Sequence, residues 1–283
     1  MTEELPTWSE FIGAWELFAD PVLCATAAGA VLGLLGVHIV LRRMVFVAAT
    51  LSQTSGLGVA LAFYAGIHLG FELDPLVGAI AASMLAAGLA SLDPRRLRMG
   101  RDSMLAMLWL FAGGAALMVG DRISQEAQDI NGILFGTAVL VRPQDLSAVL
   151  WVGGICSALV LWARRGIVFA GFDPDGARVQ GLPVRVLDLG LLLAITLMVA
   201  VSTRALGALP VFAFSVLPAI AALLAVRHLA GALPLAALLG ALAGGLGYLI
   251  AFFFSFPVGA SQTVVAVAFV MLALPVRLVR GSE

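Results

Sequence analysis

Long apolar stretches follow one another along most of the chain, and short polar stretches separate them. Nine are long enough to be candidate membrane spans, at about residues 21–41, 44–69, 75–92, 103–119, 146–163, 186–203, 209–226, 233–256 and 261–276. A transmembrane helix needs about 20 apolar residues, whereas a barrel strand is about half as long and alternates apolar with polar positions. The pattern predicts an all-α integral membrane protein whose residues 21–283 form a single bundle.

The number of spans depends on one short connection. The stretch STRALGALP, residues 202–210, joins the sixth and seventh apolar segments. Its Gly207 and Pro210 would also suit a broken or re-entrant helix. Eight spans and nine spans are therefore both compatible with the hydrophobic pattern.

Glycine pairs at a spacing of four recur along the chain. The pairs are Gly29/Gly33, Gly66/Gly70, Gly132/Gly136 and Gly240/Gly244. Small residues at this spacing let two helix backbones approach closely in lipid. We expect tight helix–helix packing at most of them.

Residues 1–20 are more polar than the rest of the chain. This segment is acidic and lacks the basic start of a typical signal peptide. Its large apolar residues fall near one helical face: Trp8, Phe11, Ile12, Trp15 and Phe18. We expect an amphipathic helix that lies at the membrane surface.

The charges are few and unevenly distributed. The chain is 61% hydrophobic and 12% charged, whereas a soluble domain carries about 25% charge. Thirteen of the 16 basic residues follow an odd-numbered span: Arg42, Arg43, Arg95, Arg96, Arg98, Arg101, Arg164, Arg165, Arg178, Arg185, Arg227, Arg277 and Arg280. The other side holds the acidic N-terminus and Glu72, Asp74, Asp121, Glu126 and Asp129. Because arginine accumulates in cytoplasmic loops, nine crossings with the N-terminus outside are favoured.

The absence of lysine excludes two kinds of chemistry. All 16 basic residues are arginine, yet the phosphate-binding loop of an ATPase and a Schiff-base enzyme both need a lysine. If the protein's work consumes ATP, another polypeptide must hydrolyse it. Cys24 and Cys156 lie alone in apolar runs and form neither a disulfide framework nor a metal motif.

The second apolar segment has a polar centre. Within LRRMVFVAATLSQTSGLGVALAF, residues 41–63, the small polar residues are Thr50, Ser52, Gln53, Thr54 and Ser55. Thr50, Gln53 and Thr54 share one helical face, because they are spaced by three and four residues. This stripe either lines a pathway through the membrane or is structural, with hydroxyls bonded to carbonyls of the preceding turn and the amide bridging helices.

The cytoplasmic segment GFDPDGARVQGLPVR, residues 171–185, has the signals of a short helix. Asp173 suits the N-cap, and Pro174 suits the first helical position. Gly181 suits the helix end, with Pro183 just beyond it. A short capped helix at about 173–181 is either a lever for a partner protein or a plain surface loop.

This segment resembles the coupling segment of the permease subunits of manganese, zinc and iron ABC importers, with the pattern F-D-P-x-x-A-x-x-x-G-L-P. The matching residues are Phe172, Asp173, Pro174, Ala177, Gly181, Leu182 and Pro183. Four further stretches resemble that family in the same order: the early R-R-M segment, NGILFGTAVLVRPQDL, LGALPVFAFSVLPAIAALL and FPVGASQTVV. The resemblance extends from about residue 25 to 278.

The resemblance implies a type II ABC importer-like permease in the bacterial inner membrane. A second permease copy would complete the pathway, and two ABC ATPase subunits would bind ATP and Mg and dock at residues 172–183, including Arg178. A periplasmic or lipid-anchored substrate-binding protein would deliver the cargo. The permease itself would be surrounded by lipid, bind no cofactor, contact no nucleic acid and catalyse no reaction.

The chain departs from the family where the family handles metal. The early segment of the family places an aspartate and a histidine four residues apart, a pair suited to a divalent cation. Those positions are Ala49 and Gln53 here. Ala49 offers no ligand atom, and Gln53 offers one neutral amide oxygen.

Few other residues could hold a metal. His68, Glu72 and Asp74 cluster at the outer end of the second span, where they either catch a cation at the mouth or form a solvated acidic loop. His38 is either a packed histidine or a lone ligand within the first span.

Three functions fit the sequence. The first is an ATP-driven importer permease for a divalent metal, zinc or manganese, and the coupling segment and motif order favour it. The second is the same machine with a neutral, zwitterionic or complexed cargo, which the absent Asp/His pair favours. The third is a membrane partner or sensor that transports nothing.

Overall fold

The computed structural model describes residues 7–91, 100–124 and 141–280. They form eleven helices: α1 (Trp8–Gly13), α2 (Trp15–Leu41), α3 (Val45–Leu69), α4 (Pro75–Ala90), α5 (Arg101–Ser124), α6 (Pro143–Phe172), α7 (Pro174–Val179), α8 (Val184–Leu206), α9 (Ala208–Ala225), α10 (Leu229–Phe254) and α11 (Val258–Arg280). The predicted all-α architecture is confirmed for these ranges. The core lies where α2, α8 and α9 meet, with Leu32, Leu35, Met198 and Phe214 fully buried.

One end of each long helix lies at the same face of the bundle. Two neighbouring cavities there share Leu41, the last residue of α2. One is also lined by residues of or next to α3, α4, α5, α6 and α8, namely Met44, Ser91, Arg101, Gly171 and Asp188. The other is lined by residues of or next to α9, α10 and α11, namely Val226, Leu229 and Arg277. Successive helices therefore run in alternating directions, and this face carries the arginines that mark the cytoplasm.

Eight of the described helices have the length and apolar composition of a membrane span. The short one is α4, whose 16 residues extend about 24 Å. It nevertheless runs antiparallel to α3 from Asp74 at the outer end to Ser91 at the cytoplasmic cavity. Ser83 of α4 donates a hydrogen bond to the Leu51 carbonyl of α3 at 3.4 Å midway along this contact.

The connection at Gly207 does not remove a span. Gly207 alone separates α8 from α9, and both helices are long and apolar enough to cross. Its φ of 95° and ψ of 162° lie in a region that only glycine adopts without strain. The chain therefore reverses direction within one residue, and α4 rather than this connection is the helix that distinguishes eight spans from nine.

Glycines bring α2 and α10 into backbone contact. Gly29 faces the Gly240 carbonyl and Gly244 faces the Ala25 carbonyl, so closely that a Cβ at either glycine would collide with the facing backbone. The packing predicted for Gly29/Gly33 and Gly240/Gly244 is thus confirmed. It is wrong for Gly70, which ends α3 in the left-handed conformation and has no neighbour within 4 Å of a Cβ position.

The N-terminal segment packs on the outer end of α10. Phe11 is 5% exposed and contacts Phe18, Phe252 and Phe253, with ring centroids 5.0–6.2 Å apart. The sequence suggests a boundary after residue 20, whereas α2 runs without interruption through that point from Trp15. Its position at the membrane surface stays a prediction.

Several residues used in the sequence analysis lie outside the described ranges. They are Arg95, Arg96, Arg98, Glu126, Asp129, Gly132 and Gly136.

Candidate functional site

The polar centre of α3 lies inside the bundle. Helix α3 packs mainly against α4 and α5, and also against α8 and α9. Thr50, Ser52 and Ser55 are 0–2% exposed, and Thr54 is 8% exposed. Unpaired polar groups are costly at such positions, so their partners decide their role.

The hydroxyls in this centre bond to carbonyls of their own helix. Thr54 donates to the Thr50 carbonyl at 2.8 Å, Ser52 to the Ala49 carbonyl at 2.9 Å, and Thr50 to the Phe46 carbonyl at 2.8 Å. This is the usual way in which threonine and serine satisfy themselves within a membrane helix. The structural interpretation accounts for these hydroxyls in the single chain.

Two of the hydroxyls also link α3 to its neighbours. Thr50 lies 3.1 Å from the Leu105 carbonyl of α5, and Ser55 donates to the Ala200 carbonyl of α8 at 3.4 Å. Hydrogen bonds between membrane helices contribute about 0.6 kcal/mol on average. They therefore help to set the position of α3 among its neighbours.

Ala49 and Gln53 occupy different environments. Ala49 is 7% exposed, whereas Gln53 is half-buried and lies against Gly113 of α5. Within residues 7–91, 100–124 and 141–280, no three His, Cys, Asp or Glu side chains gather as a metal site would require. The described part of a single chain therefore brings no set of ordinary ligands to the family's metal position.

The three outer residues that could form a cation-binding mouth lie in different environments. His68 stacks on Tyr64, with ring centroids 4.4 Å apart. Asp74 caps α4 by accepting a hydrogen bond from the Leu76 amide at 2.8 Å. Glu72 is exposed between them. His38, the other candidate, is 2% exposed within α2 and has no carboxylate or thiolate beside it in the small cavity that it lines.

The outer end also holds an ion pair that the sequence analysis missed. Asp145, in the first turn of α6, pairs with Arg204, in the last turn of α8, and each side chain is only 11% exposed. Asp74 lies close enough to interact electrostatically with Arg204 as well. The available signal was the presence of single opposite charges at the ends of two spans, which does not specify their pairing.

At the cytoplasmic face, α7 is bounded as its residues predict. Asp173 accepts a hydrogen bond from the Gly176 amide at 2.9 Å. At the other end, Gly181 has φ 79°, and its amide donates to the Arg178 carbonyl, while the Leu182 amide donates to the Ala177 carbonyl, both at 3.0 Å. These bonds form a Schellman motif, so two turns of helix are held between fixed ends.

Apolar groups in α7 and just before it are exposed to the cytoplasm. Ala177 is fully buried against Ala170 and Val184, which anchors α7 to α6 and α8. Phe172, the last residue of α6, and Val179, the last residue of α7, are 70% and 88% exposed at the cytoplasmic end of the bundle. Such exposure on a soluble face is typical of a surface that a partner covers.

An ion pair braces the helices around α7. Arg42, at the end of α2, pairs with Asp188 of α8 and donates to the Ile167 carbonyl of α6 at 2.6 Å. Three helices are thereby tied together at the cytoplasmic end. Asp188, near the start of α8, is one half of this connection.

Comparisons with known proteins agree with this architecture. The model of the ABC 3 transport family matches residues 14–277. The chelated iron transport system membrane protein YfeD of Yersinia pestis is 28% identical over 263 residues, which cover 92% of this chain and 86% of YfeD. The manganese import system permease protein ScaB of Streptococcus pneumoniae is 28% identical over 268 residues, or 94% of this chain and 93% of ScaB.

A solved structure has the same fold. The structure of PsaBC from Streptococcus pneumoniae in complex with Fab contains a chain that matches with a TM-score of 0.83 and 24% identity. The match covers 96% of this chain and 98% of that one. The span-forming helices and these matches establish a multi-pass membrane protein, and the family resemblance seen in the sequence is confirmed. With the family model matched over residues 14–277, the chain belongs to the ABC 3 transport family.

Proposed function

We propose that this protein is the permease subunit of an ATP-driven importer that moves a divalent transition metal across the bacterial inner membrane. The observation that carries the proposal is α7: a short helix, capped at both ends, with exposed apolar groups on the cytoplasmic side of a bundle that belongs to a transport family. It suits the transmission of force from a soluble motor to the spans.

The motor is a separate ABC ATPase, present in two copies. The chain has no lysine for a phosphate-binding loop. Phe172 and Val179 would be covered by the ATPase surface, and Arg178 with Asp175, paired at 2.7 Å, would lie at its rim. Force applied at α7 would reach α6 and α8 through the buried Ala177.

A second permease copy completes the pathway, and a periplasmic or lipid-anchored binding protein delivers the cargo from outside. Helices α5 and α6 are the most exposed of the eight spans, with only 28% and 22% of an 18-residue apolar stretch of each buried in the bundle. Lipid and the second copy would share this surface.

The cargo is a metal, because the relatives YfeD and ScaB are named for chelated iron and manganese. Zinc is a further candidate cargo, because the coupling segment resembles that of manganese, zinc and iron importers. A second candidate is the same importer carrying a complexed metal. The positions of the family Asp/His pair favour it, since Ala49 has no ligand atom and Gln53 no charge.

Reconstitution into vesicles tests the proposal. The permease, its ATPase and its binding protein should accumulate labelled manganese, iron or zinc only when ATP is supplied on the ATPase side. Parallel assays with the free ions and with their chelates separate the two cargoes. In the variant Gln53→His, the imidazole should raise uptake of the free ion relative to the chelate. Uptake no higher than in vesicles without the permease, for all of these cargoes, would contradict the proposal.

A further inference from the structure

A basic cavity lies at the cytoplasmic ends of six helices. Its volume is about 500 Å³, and its polar lining includes Arg42, Arg43, Arg101 and Asp188. This volume is within the range of small-molecule sites, about 300–1,000 Å³. The lining also includes Pro174, the first residue of α7.

Two of the three arginines are available to a ligand. Arg42 is engaged by Asp188 and by the Ile167 carbonyl. Arg43 and Arg101 are exposed, and neither forms an ion pair with another residue in the described part of the chain. The ion pair cancels one positive charge, so the described residues that line the cavity carry an excess of two positive charges.

The backbone holds Arg43 in an unusual conformation. The end of α2 is a Schellman motif, with the Met44 amide bonded to the Ile39 carbonyl at 2.8 Å and the Arg43 amide to the Val40 carbonyl at 3.1 Å. Arg43, with φ 55°, occupies the left-handed position that glycine normally takes. Backbone strain of this kind is typical of functional sites, so the conformation of Arg43 points to a role for its guanidinium group.

Apolar residues of α8 extend from the cavity along the surface of the bundle. Leu189 and Leu192 of α8 line the cavity beside Asp188. On the surface of α8, Val186, Leu189 and Leu193 form an apolar stripe, 67%, 54% and 44% exposed. A phosphate at the arginines would therefore have a path for a hydrocarbon chain directly next to it, which suits an amphiphile better than a free anion.

We propose that this cavity binds the headgroup of an anionic phospholipid from the cytoplasmic leaflet. The phosphate lies between Arg43 and Arg101, and an acyl chain follows the stripe on α8. Basic pockets between membrane helices on the cytoplasmic side are suited to such headgroups, and guanidinium groups match phosphate geometry. A bound headgroup contacts Pro174 and so supports α7 from beneath.

Native mass spectrometry of the full-length permease in detergent tests the site with phosphatidylglycerol. The variant Arg43→Gly/Arg101→Gln removes both guanidinium groups, and glycine suits the left-handed turn, so the fold is kept. The control Arg164→Gln/Arg165→Gln removes two charges from exposed positions of α6 that do not line the cavity. We expect the first variant to bind about thirtyfold more weakly, since each arginine near an anionic headgroup contributes a factor of about five. The control should bind like the wild type.

Three results would overturn the proposal. One is an equal loss in the control, which would show that general surface charge attracts the lipid. Another is equal retention of phosphatidylcholine, which has no net charge. The third is displacement of the lipid by inorganic phosphate at a similar concentration, which would assign the cavity to a soluble anion. Because binding is measured on the permease alone, these results are independent of the transport assay.

Discussion

The ion pair between Asp145 and Arg204 joins α6 to α8 at the outer end of the bundle, and its removal should have an effect that depends on how it is removed. Each side chain is 11% exposed. The substitution Asp145→Leu leaves Arg204 charged and largely buried, and Arg204→Met leaves Asp145 in the same position. The double variant removes both charges and fills their space with apolar groups.

The burial of the pair sets the size of the effect. Removing one partner of a buried pair typically lowers the free energy of unfolding by about 3–5 kcal/mol, because an uncompensated charge remains. Replacing both partners by apolar residues is often neutral or stabilising. Here each charge also favours its own helix terminus, which contributes about 0.3–1 kcal/mol per residue. We therefore expect Arg204→Met to lose about 3–5 kcal/mol, Asp145→Leu to lose less because Asp74 still interacts with Arg204, and the double variant to lose at most about 2 kcal/mol.

Equilibrium unfolding in mixed detergent and dodecyl sulfate micelles, followed by tryptophan fluorescence, measures these free energies. The control is the pair Arg178–Asp175, whose side chains are 60% and 89% exposed. Breaking it with Arg178→Met should change stability by less than about 1 kcal/mol. If the double variant at Asp145 and Arg204 loses the sum of the two single losses, the two charges act independently and the reasoning is refuted.

Three further predictions follow from packing and exposure. Gly29→Ala should markedly lower the stability of the purified permease, because its Cβ would meet the Gly240 carbonyl. The control Gly154→Ala, whose Cβ would have nothing within 4 Å, should be neutral or stabilise by up to about 1 kcal/mol. Equal thermal stability of both variants would contradict the close α2–α10 contact. If Gln53 lines the pathway, Gln53→Cys in a Cys24→Ala/Cys156→Ala background should react with small aqueous thiol reagents. The control Ser55→Cys, at a fully buried position, should not react. Protection of Gln53→Cys in every nucleotide state would exclude the lining role. Phe172→Ala and Val179→Ala should weaken co-purification of the ATPase and lower its substrate-stimulated activity. The control Gln180→Ala, at another exposed position of this segment, should change neither. Unchanged assembly and activity in the variants of Phe172 and Val179 would refute the coupling role of α7.

The helices could be predicted well because their signal is local, and the side of the membrane on which each end lies stays a prediction from the arginines. A span needs a run of apolar residues, and arginine marks the cytoplasmic ends of spans. Helix ends were less predictable: the apolar run at 146–163 belongs to α6, which extends to Phe172 and includes Arg164 and Arg165. The apolar pattern marks where a helix meets lipid, whereas its backbone hydrogen bonds continue into the polar region.

The short helix α7 could also be placed from the chain alone. Asp173, Pro174 and Gly181 act through neighbouring backbone groups, so their spacing is sufficient to predict both ends. The exposure of Phe172 and Val179 could not be predicted in this way, because it depends on how α7 lies against α6 and α8.

The hydroxyls of α3 show where sequence reasoning stopped. The pattern at Thr50, Ser52 and Thr54 was compatible with a lined pathway and with internal hydrogen bonds, because both place polar atoms at helical spacing. The fold shows that these hydroxyls bond to carbonyls one turn back. Gln53, whose side chain is an amide, is half-buried.

Periodicity and capping residues were enough to determine a helical membrane bundle and its short capped helix, since each acts over a few residues, and the arginine distribution predicts the orientation of the bundle. The pairing of Asp145 with Arg204, the contact of Gly29 with Gly240 and the basic cavity around Arg43 all join residues that are far apart in the chain. Such contacts depend on how helices pack against one another, and that packing is set by the shapes of whole surfaces rather than by any local pattern.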